Sequence, residues 1–272
     1  MARRGTLAAL AVLLVGWGGS CRFGPTEEEL SRWAEPAASA KNEAVYNVRD
    51  FGATGDGATD DTAAIQAAVN AVDPQAGGTV FFPAGTYIVT IVYVKPPLTL
   101  LGEPGAIIKK KAMQDEWCRS FTTTRNRYFG AQNSPPLVFR GLTFDGNRLE
   151  QGPYEHYELE HAAMIFLMAD VASPGKLTAV VEDCTFHDGT ADAISAYTNV
   201  SLRVDNCTAT DVFRGGVVIT GGNTDAVVTR FTANGAVHRT GTDFEVDAAG
   251  YGGSYAIDVV FEDIHLRGDF DC

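Results

Sequence analysis

The chain has 272 residues, 45% of them hydrophobic and 20% charged, with 29 glycines. That is enough for one or two folded domains, and it excludes a disulfide mini-protein and a disordered chain. Asp and Glu number 34 against 21 Lys and Arg, a formal charge of −13, which excludes a general nucleic-acid binder because such proteins need a basic footprint.

Residues 1–20 read as an export signal. Arg3 and Arg4 precede the apolar run Leu7 to Val15, too short to cross a bilayer as a mature helix, and Gly18, Gly19 and Ser20 supply small residues for cleavage. Cys21 follows directly and resembles the lipid-modified cysteine of bacterial lipoproteins, although Gly18 stands where that family has a Leu-like residue. Lipidation at Cys21 and plain signal cleavage are both open. The expected location is the cell surface or periplasm as a lipoprotein, or the extracellular space, with membrane contact only through such an anchor. Residues 21–44 lack a period, carry Glu27 to Glu29 and an Ala/Ser/Pro stretch, and read as a tether. If Cys21 is lipidated, Cys118, Cys184, Cys207 and Cys272 remain, an even number in a disulfide-permissive compartment.

The folded part, 45–272, opens with an entry module over 45–108. It begins Tyr46-Asn47-Val48-Arg49-Asp50-Phe51-Gly52 and runs through Gly55-Asp56-Gly57 to Thr59-Asp60-Asp61-Thr62. The glycines supply turn chemistry, and Thr59, Asp60 and Asp61 place capping side chains and acidic charge at a helix start. Ile65, Ala68, Val69 and Val72 recur at helical spacing, so 60–72 is predicted to be one amphipathic helix stopped by Asp73-Pro74. Capping accounts for the acidic cluster without a metal. Gly77-Gly78-Thr79-Val80-Phe81-Phe82-Pro83-Ala84-Gly85-Thr86-Tyr87 and the strands Ile88 to Val94 and Leu98 to Leu101 follow.

These residues, 46–108, resemble the entry module of the pectate-lyase superfamily, in the branch with rhamnogalacturonase- and epimerase-like domains and phage tailspike depolymerases. The resemblance implies an all-β fold, a right-handed single-stranded parallel β-helix with an N-terminal capping α-helix. It leaves the reaction open, because that module carries no catalytic residue in the family.

Self-similarity supports the solenoid independently. Aligning the segments at 141, 183, 206, 230 and 263 puts Leu142, Cys184, Cys207, Phe231 and Ile264 in one column, with separations of 42, 23, 24 and 33 residues. About two dozen residues fit one coil, and the longer intervals mark insertions, near Leu149 to Glu160 and Asp247 to Tyr255, with a smaller one at Ala172 to Lys176. Coils therefore fill 137–272. Cys184 and Cys207 should be strand neighbours about 4.8 Å apart, read as a ladder of buried free thiols in preference to a disulfide.

A second column aligns Met164, Ile194, Val217 and Thr242 as inward residues, and alternation then turns Asp243 and Glu245 outward. His161 and Arg214 each precede the inward position by three residues, with Asp192 one step displaced, so one external sheet gathers His161, Asp192, Arg214, Asp243 and Glu245. Asp243 and Glu245 read equally well as an exposed acidic strand face, and the other three as satisfied corner residues; His187, Asp188 and His238 are weaker candidates. Glycoside hydrolysis needs a carboxylic acid and a carboxylate, which Asp192 with Asp243 or Glu245 would supply. β-Elimination needs a base at C5 and a partner for the carboxylate. Pectate-lyase relatives often use Arg as the base with acidic residues holding Ca²⁺, parts that Arg214 with Asp243 and Glu245 would supply.

Between Lys109 and Arg148 eight Lys and Arg face three acidic residues, a stretch where a polyuronate would dock through Arg125 and Arg127. Tyr154 and Tyr157 in the first insertion offer faces for sugar rings. The expected function is therefore a polysaccharide lyase or glycoside hydrolase acting on an acidic, uronate-containing polysaccharide, with no certain cofactor and Ca²⁺ only for a lyase. The alternative is a non-catalytic carbohydrate-binding or adhesive β-helix, a truncated family member, since no capping segment follows Ile264 to Phe270.

Overall fold

The computed structural model describes residues 43–113, 118–123, 135–151, 162–170, 172–173, 175–220, 224–236, 244–247 and 258–267. Runs of alternating apolar residues form short parallel strands that stack into three faces of a right-handed parallel β-helix. The first face holds Val45–Asn47, Thr79–Phe82, Leu98–Gly102, Leu137–Arg140, Leu177–Glu182 and the start of the long strand Val200–Val212. The second holds Asp56–Asp60, Gly85–Val89, Ala106–Lys110, Thr143–Asp145, Thr185–His187 and the end of Val200–Val212. Both continue through Asp225–Ala236 into Asp258–Glu262 and His265–Arg267. The third face is a separate sheet of Val92–Tyr93, Phe121–Thr122, Ile165–Met168, Ile194–Tyr197, Val217–Thr220 and Phe244–Asp247.

The corner between the first two faces repeats one backbone device. Gly141, Asp183, Asn206, Arg230 and Asp263 all adopt the left-handed conformation, with φ between 50° and 67°. Short polar residues and glycine tolerate this region best, and four of the five positions use them. Asn206 donates its side-chain amide to Asp183 Oδ1 at 2.6 Å, linking two successive corners. Gly102 lies against this column so closely that a Cβ there would sit 2.5 Å from the Gly141 carbonyl oxygen.

The residue after each corner turns inward. Leu142, Cys184, Cys207 and Phe231 are buried and Ile264 packs against the same core, so the sequence column is the structural one. Tyr87, Ile108, Phe144, Phe186, Ala209 and Ala233 form the next inward ladder, in which Phe144 and Phe186 stack with centroids 4.9 Å apart. Cys184 and Cys207 are neighbouring buried free thiols. Burial first, and then the hydrogen bond with Cys184, push the Cys207 thiol well above its ordinary range.

Helix α1 spans Thr62–Ala71, inside the expected 60–72, and buries Ile65, Ala68 and Val69. The acidic residues before it divide their work. Asp60 accepts from the Thr62 amide at 3.1 Å and the Thr62 hydroxyl at 2.6 Å, while buried Asp61 turns back to the amides of Thr54 and Gly55 and fixes the glycine loop. Gln66 reaches the first third-face strand, accepting from Tyr93 N at 2.8 Å and donating to Tyr93 O at 3.0 Å. The predicted strand Ile88 to Val94 is two strands, Gly85–Val89 and Val92–Tyr93, because a coil corner falls between them, where Thr90 N bonds the Thr62 hydroxyl.

Replacing fully buried Ile65 with Glu forces a charge against the first coil, so Ile65→Glu should cost on the order of 3 kcal/mol or more. Urea unfolding checks this; an unchanged midpoint would remove the helix from its role as cap.

Candidate functional site

The third face positions the candidate residues, and its register differs from the one read from sequence. Ile165, Ile194, Val217 and Phe244 are the aligned residues, so the column shifts by one residue at Met164 and by two at Thr242. Three neighbouring apolar residues, Ile165, Phe166 and Leu167, are all buried, which erases the alternation that would have fixed the phase. One row now runs Tyr93, Thr122, Phe166, Ser195, Val218, Glu245. The next runs Met168, Tyr197, Thr220, Asp247. Glu245 thus stands beside Val218 rather than beside Thr220, and Asp247 takes the position that the sequence column gave to Glu245.

Two of the predicted residues meet in one interaction. Asp192 sits in the turn before Ile194–Tyr197, and Arg214 in the corresponding turn one coil on. Arg214 Nε donates to Asp192 Oδ1 at 3.0 Å and its Nη2 to Oδ2 at 3.2 Å. The Ser195 hydroxyl donates to Oδ2 at 2.8 Å. The Asp192 side chain is 2% exposed and that of Arg214 is 26% exposed, so the guanidinium forms the open edge of a buried carboxylate. A two-point pair of this kind fixes the plane of the guanidinium as well as its place. His161, Asp243, Arg125, Arg127, Tyr154, Tyr157, His238 and Cys21 lie outside the described residues.

Around this pair the structure adds groups that the sequence reading did not select. Tyr197 lies beside Asp192 and Arg214, and burial first, then the Asp192 carboxylate, raise its phenol above the ordinary value. Its ring stacks on Phe166 with centroids 4.8 Å apart, and the Arg119 guanidinium lies 3.6 Å over the same Phe166 ring. Burial lowers Arg119 to about 10. Phe166 and Tyr197 stand in neighbouring rows on adjacent strands, a diagonal relation within reach of two aromatic rings.

Behind the site lies a fully buried cation. Lys110 continues the inward phase of Ala106 and Ile108 at the end of its strand. Its Nζ donates to the Ala162 carbonyl at 2.6 Å and the Thr190 hydroxyl at 3.2 Å, and burial lowers its amine to about 8. Among the described residues the cations of the basic stretch are dispersed. Lys109 pairs with Asp145, Lys111 with Asp60 and Arg140 with Glu182, while Lys110 and Arg119 are interior.

At the end of the second face, Asp145, His187 and Asp188 bring ligand-type atoms within 4.8 Å of one another. His187 Nδ1 lies 2.8 Å from Asp188, while Lys109 already lies 3.3 Å from Asp145. A shallow depression of about 280 Å³ nearby is lined by Asp60, Lys109, Lys111, Asn147 and Glu150 among others.

A family model described as rhamnogalacturonase A/epimerase, pectate lyase-like, matches residues 45–247. Mannuronan C5-epimerase AlgE1 of Azotobacter vinelandii is 40% identical over 112 residues, 38% of this chain and 8% of that protein. Plasmin and fibronectin-binding protein A of Streptococcus pneumoniae is 38% identical over 114 residues, 40% of this chain and 13% of that protein. The chain thus matches only a small part of the length of these relatives. Among solved structures, a putative glycosyl hydrolase from Parabacteroides merdae superposes with a TM-score of 0.62 at 19% identity, covering 84% of this chain and 100% of that one. The A-module of mannuronan C-5 epimerase AlgE4 from Azotobacter vinelandii gives 0.52 at 22% identity, covering 81% and 70%. Both likenesses concern the fold.

Lys110 gives a pH signature. Its folded value lies below the 10.5 of a free lysine, so between about pH 8 and 10.5 the unfolded chain holds a proton that the folded chain has released. Stability conferred by the wild-type residue should rise with pH across that window, relative to Lys110→Met, and be flat below it. Urea unfolding of both proteins at steps from pH 7 to 10.5 measures the difference, expected to change by roughly 3 kcal/mol; a constant difference would contradict the assignment.

Proposed function

The chain belongs to the rhamnogalacturonase A/epimerase, pectate lyase-like family, and from that membership we propose that it is a polysaccharide-active enzyme working on an acidic, uronate-containing polymer. The observation that carries the reading is the Asp192–Arg214 pair, a guanidinium held edge-on at the outer side of the third face, in register with a strand that bears Glu245 and Asp247. A guanidinium carries five N–H donors, more than the two that Asp192 takes, and its fixed charge suits a sugar carboxylate. The overlap of 112 residues with a mannuronan C5-epimerase supports a uronate as the sugar.

Two reactions fit such a site. In elimination a base removes the proton at C5, which the neighbouring carboxylate acidifies, and a cation at that carboxylate lowers the cost of the charge that develops. Arg214 would take the second role, and Ca²⁺ would add to it. In hydrolysis one of Asp243 and Glu245 protonates the leaving oxygen and the other activates water or attacks. C5-epimerisation shares its first step with elimination and would leave the chain uncut. A second reading, an adhesive β-helix that binds without turnover, is favoured by the overlap with the plasmin and fibronectin-binding protein.

Incubation with polygalacturonate, alginate and rhamnogalacturonan, with and without Ca²⁺, separates these outcomes. Elimination yields unsaturated ends, hydrolysis yields reducing ends without them, epimerisation alters only the C5 configuration, and an adhesin yields no product. Asp243→Asn or Glu245→Gln should lower turnover at least about a hundredfold with the melting temperature nearly unchanged. Full activity in the double variant would reject these carboxylates. For Arg214→Lys, loss of turnover speaks for the elimination role and a raised KM alone for substrate binding.

Export through residues 1–20, with lipid attachment at Cys21, completes the proposal, supported by Arg3 and Arg4 before the apolar run and by the small residues before Cys21. Cys21→Ser should move the protein from the membrane to the soluble fraction; unchanged partition would exclude lipidation at this residue.

A further inference from the structure

We infer that Lys110, in the interior of the solenoid, is the positioning residue of the third-face site. In its functional sense the inference rests on the reading above, since it concerns the same pair of side chains. Alternation along Ala106–Lys110 sends Lys110 inward with Ala106 and Ile108, into an apolar core where a charged group is costly. Its ammonium nevertheless has two specific partners, and both belong to turns that lead into the third face. The Ala162 carbonyl stands three residues before Ile165–Met168, and the Thr190 hydroxyl stands four before Ile194–Tyr197. One cation thus ties together two successive coils from within.

The second tie leads to the site. Thr190 is two residues from Asp192, and the turn between them holds Arg214 twice. The Ala191 carbonyl accepts from Arg214 N at 3.1 Å, and the Asp192 carboxylate accepts from its guanidinium. The neighbouring coil is joined as well, because the Asp192 carbonyl accepts from Met164 N at 3.0 Å. The connection therefore runs Lys110, Thr190, Asp192, Arg214, each step a hydrogen bond or two residues of chain. Turns are the least constrained part of a solenoid, and a site built on them needs fixing from below if its groups are to stay within a fraction of an ångström. A lysine that only filled space would gain more from an apolar stem than from an ammonium with two partners.

The test uses the full chain labelled with nitrogen-15 and follows the Arg214 Nε–Hε resonance, assigned by its loss in Arg214→Lys. In Lys110→Met that proton should exchange with solvent at least about tenfold faster, while amides of Leu177–Glu182 keep their wild-type protection. If Lys110→Met does not fold, Thr190→Val removes one partner only and should shift the same resonance in the same direction. A lower melting temperature with the Arg214 signal unchanged would overturn the inference, leaving Lys110 a structural residue. On a polyuronate that the wild type turns over, kcat should fall at least about tenfold with KM nearly kept; an equal kcat would also overturn it. Failure of the wild type on every polyuronate defeats the proposed function, and the Arg214 exchange rate still decides the positioning role.

Discussion

The left-handed corner between the first and second faces is the constraint from which the rest of the molecule follows. From Gly141 onward a residue there bends the strand at a fixed place in successive coils, so the next residue must point inward, and each coil is locked in phase with its neighbours by parallel hydrogen bonds. Gly141, Asp183, Asn206, Arg230 and Asp263 repeat this bend, and the ladder Leu142, Cys184, Cys207, Phe231 and Ile264 is its direct product. A slip of one residue at any corner would expose the whole inward set of that coil. The turns beside the third face are where the insertions enter and where the candidate residues lie.

That difference explains what was legible in the sequence. The corner column could be read because a small polar or glycine residue precedes each inward residue in nearly every coil, and because two successive separations, 23 and 24 residues, are almost equal. The cap helix could be read because Ile65, Ala68 and Val69 keep helical spacing. The third-face phase could not, since both sides of Ile165–Met168 are largely buried and the turns before it differ in length and composition. Lys110 was hidden for another reason. A lysine among three consecutive lysines reads as surface charge, and only the alternation of Ala106, Ile108 and Lys110 in a confirmed strand reveals it as interior. Asp192 and Arg214 were selected as separate candidates; that they satisfy each other is a property of adjacent coils and has no signature in the linear order.

The electrostatics follow the same architecture. An acidic chain places its strongest pairs where coils are adjacent, so that each charge finds its partner one step along the stack. Asp205 is held below the ordinary carboxylate range chiefly by its hydrogen bond with Arg230, with Thr229 and Arg203 adding to it, and Arg230 comes from the next coil. Asp192 and Arg214 use the same neighbour relation on another face. In the first the cation is 57% exposed, and in the second it is 26% exposed over a carboxylate that is almost wholly enclosed. Two pairs with similar chemistry therefore differ in what they offer a ligand, and burial of the carboxylate by Ser195 and its turn makes the difference.

At the start of the stack Gln66 bonds both the amide and the carbonyl of Tyr93. A side-chain amide carries one donor end and one acceptor end, as a peptide group does, so the helix presents to Val92–Tyr93 what another strand would have presented. The adjoining strand Asp56–Asp60 carries an acidic residue at each end and is exposed throughout. A second molecule arriving edge-on at these two faces would meet either groups already bonded or a pair of negative charges, both unfavourable to strand addition.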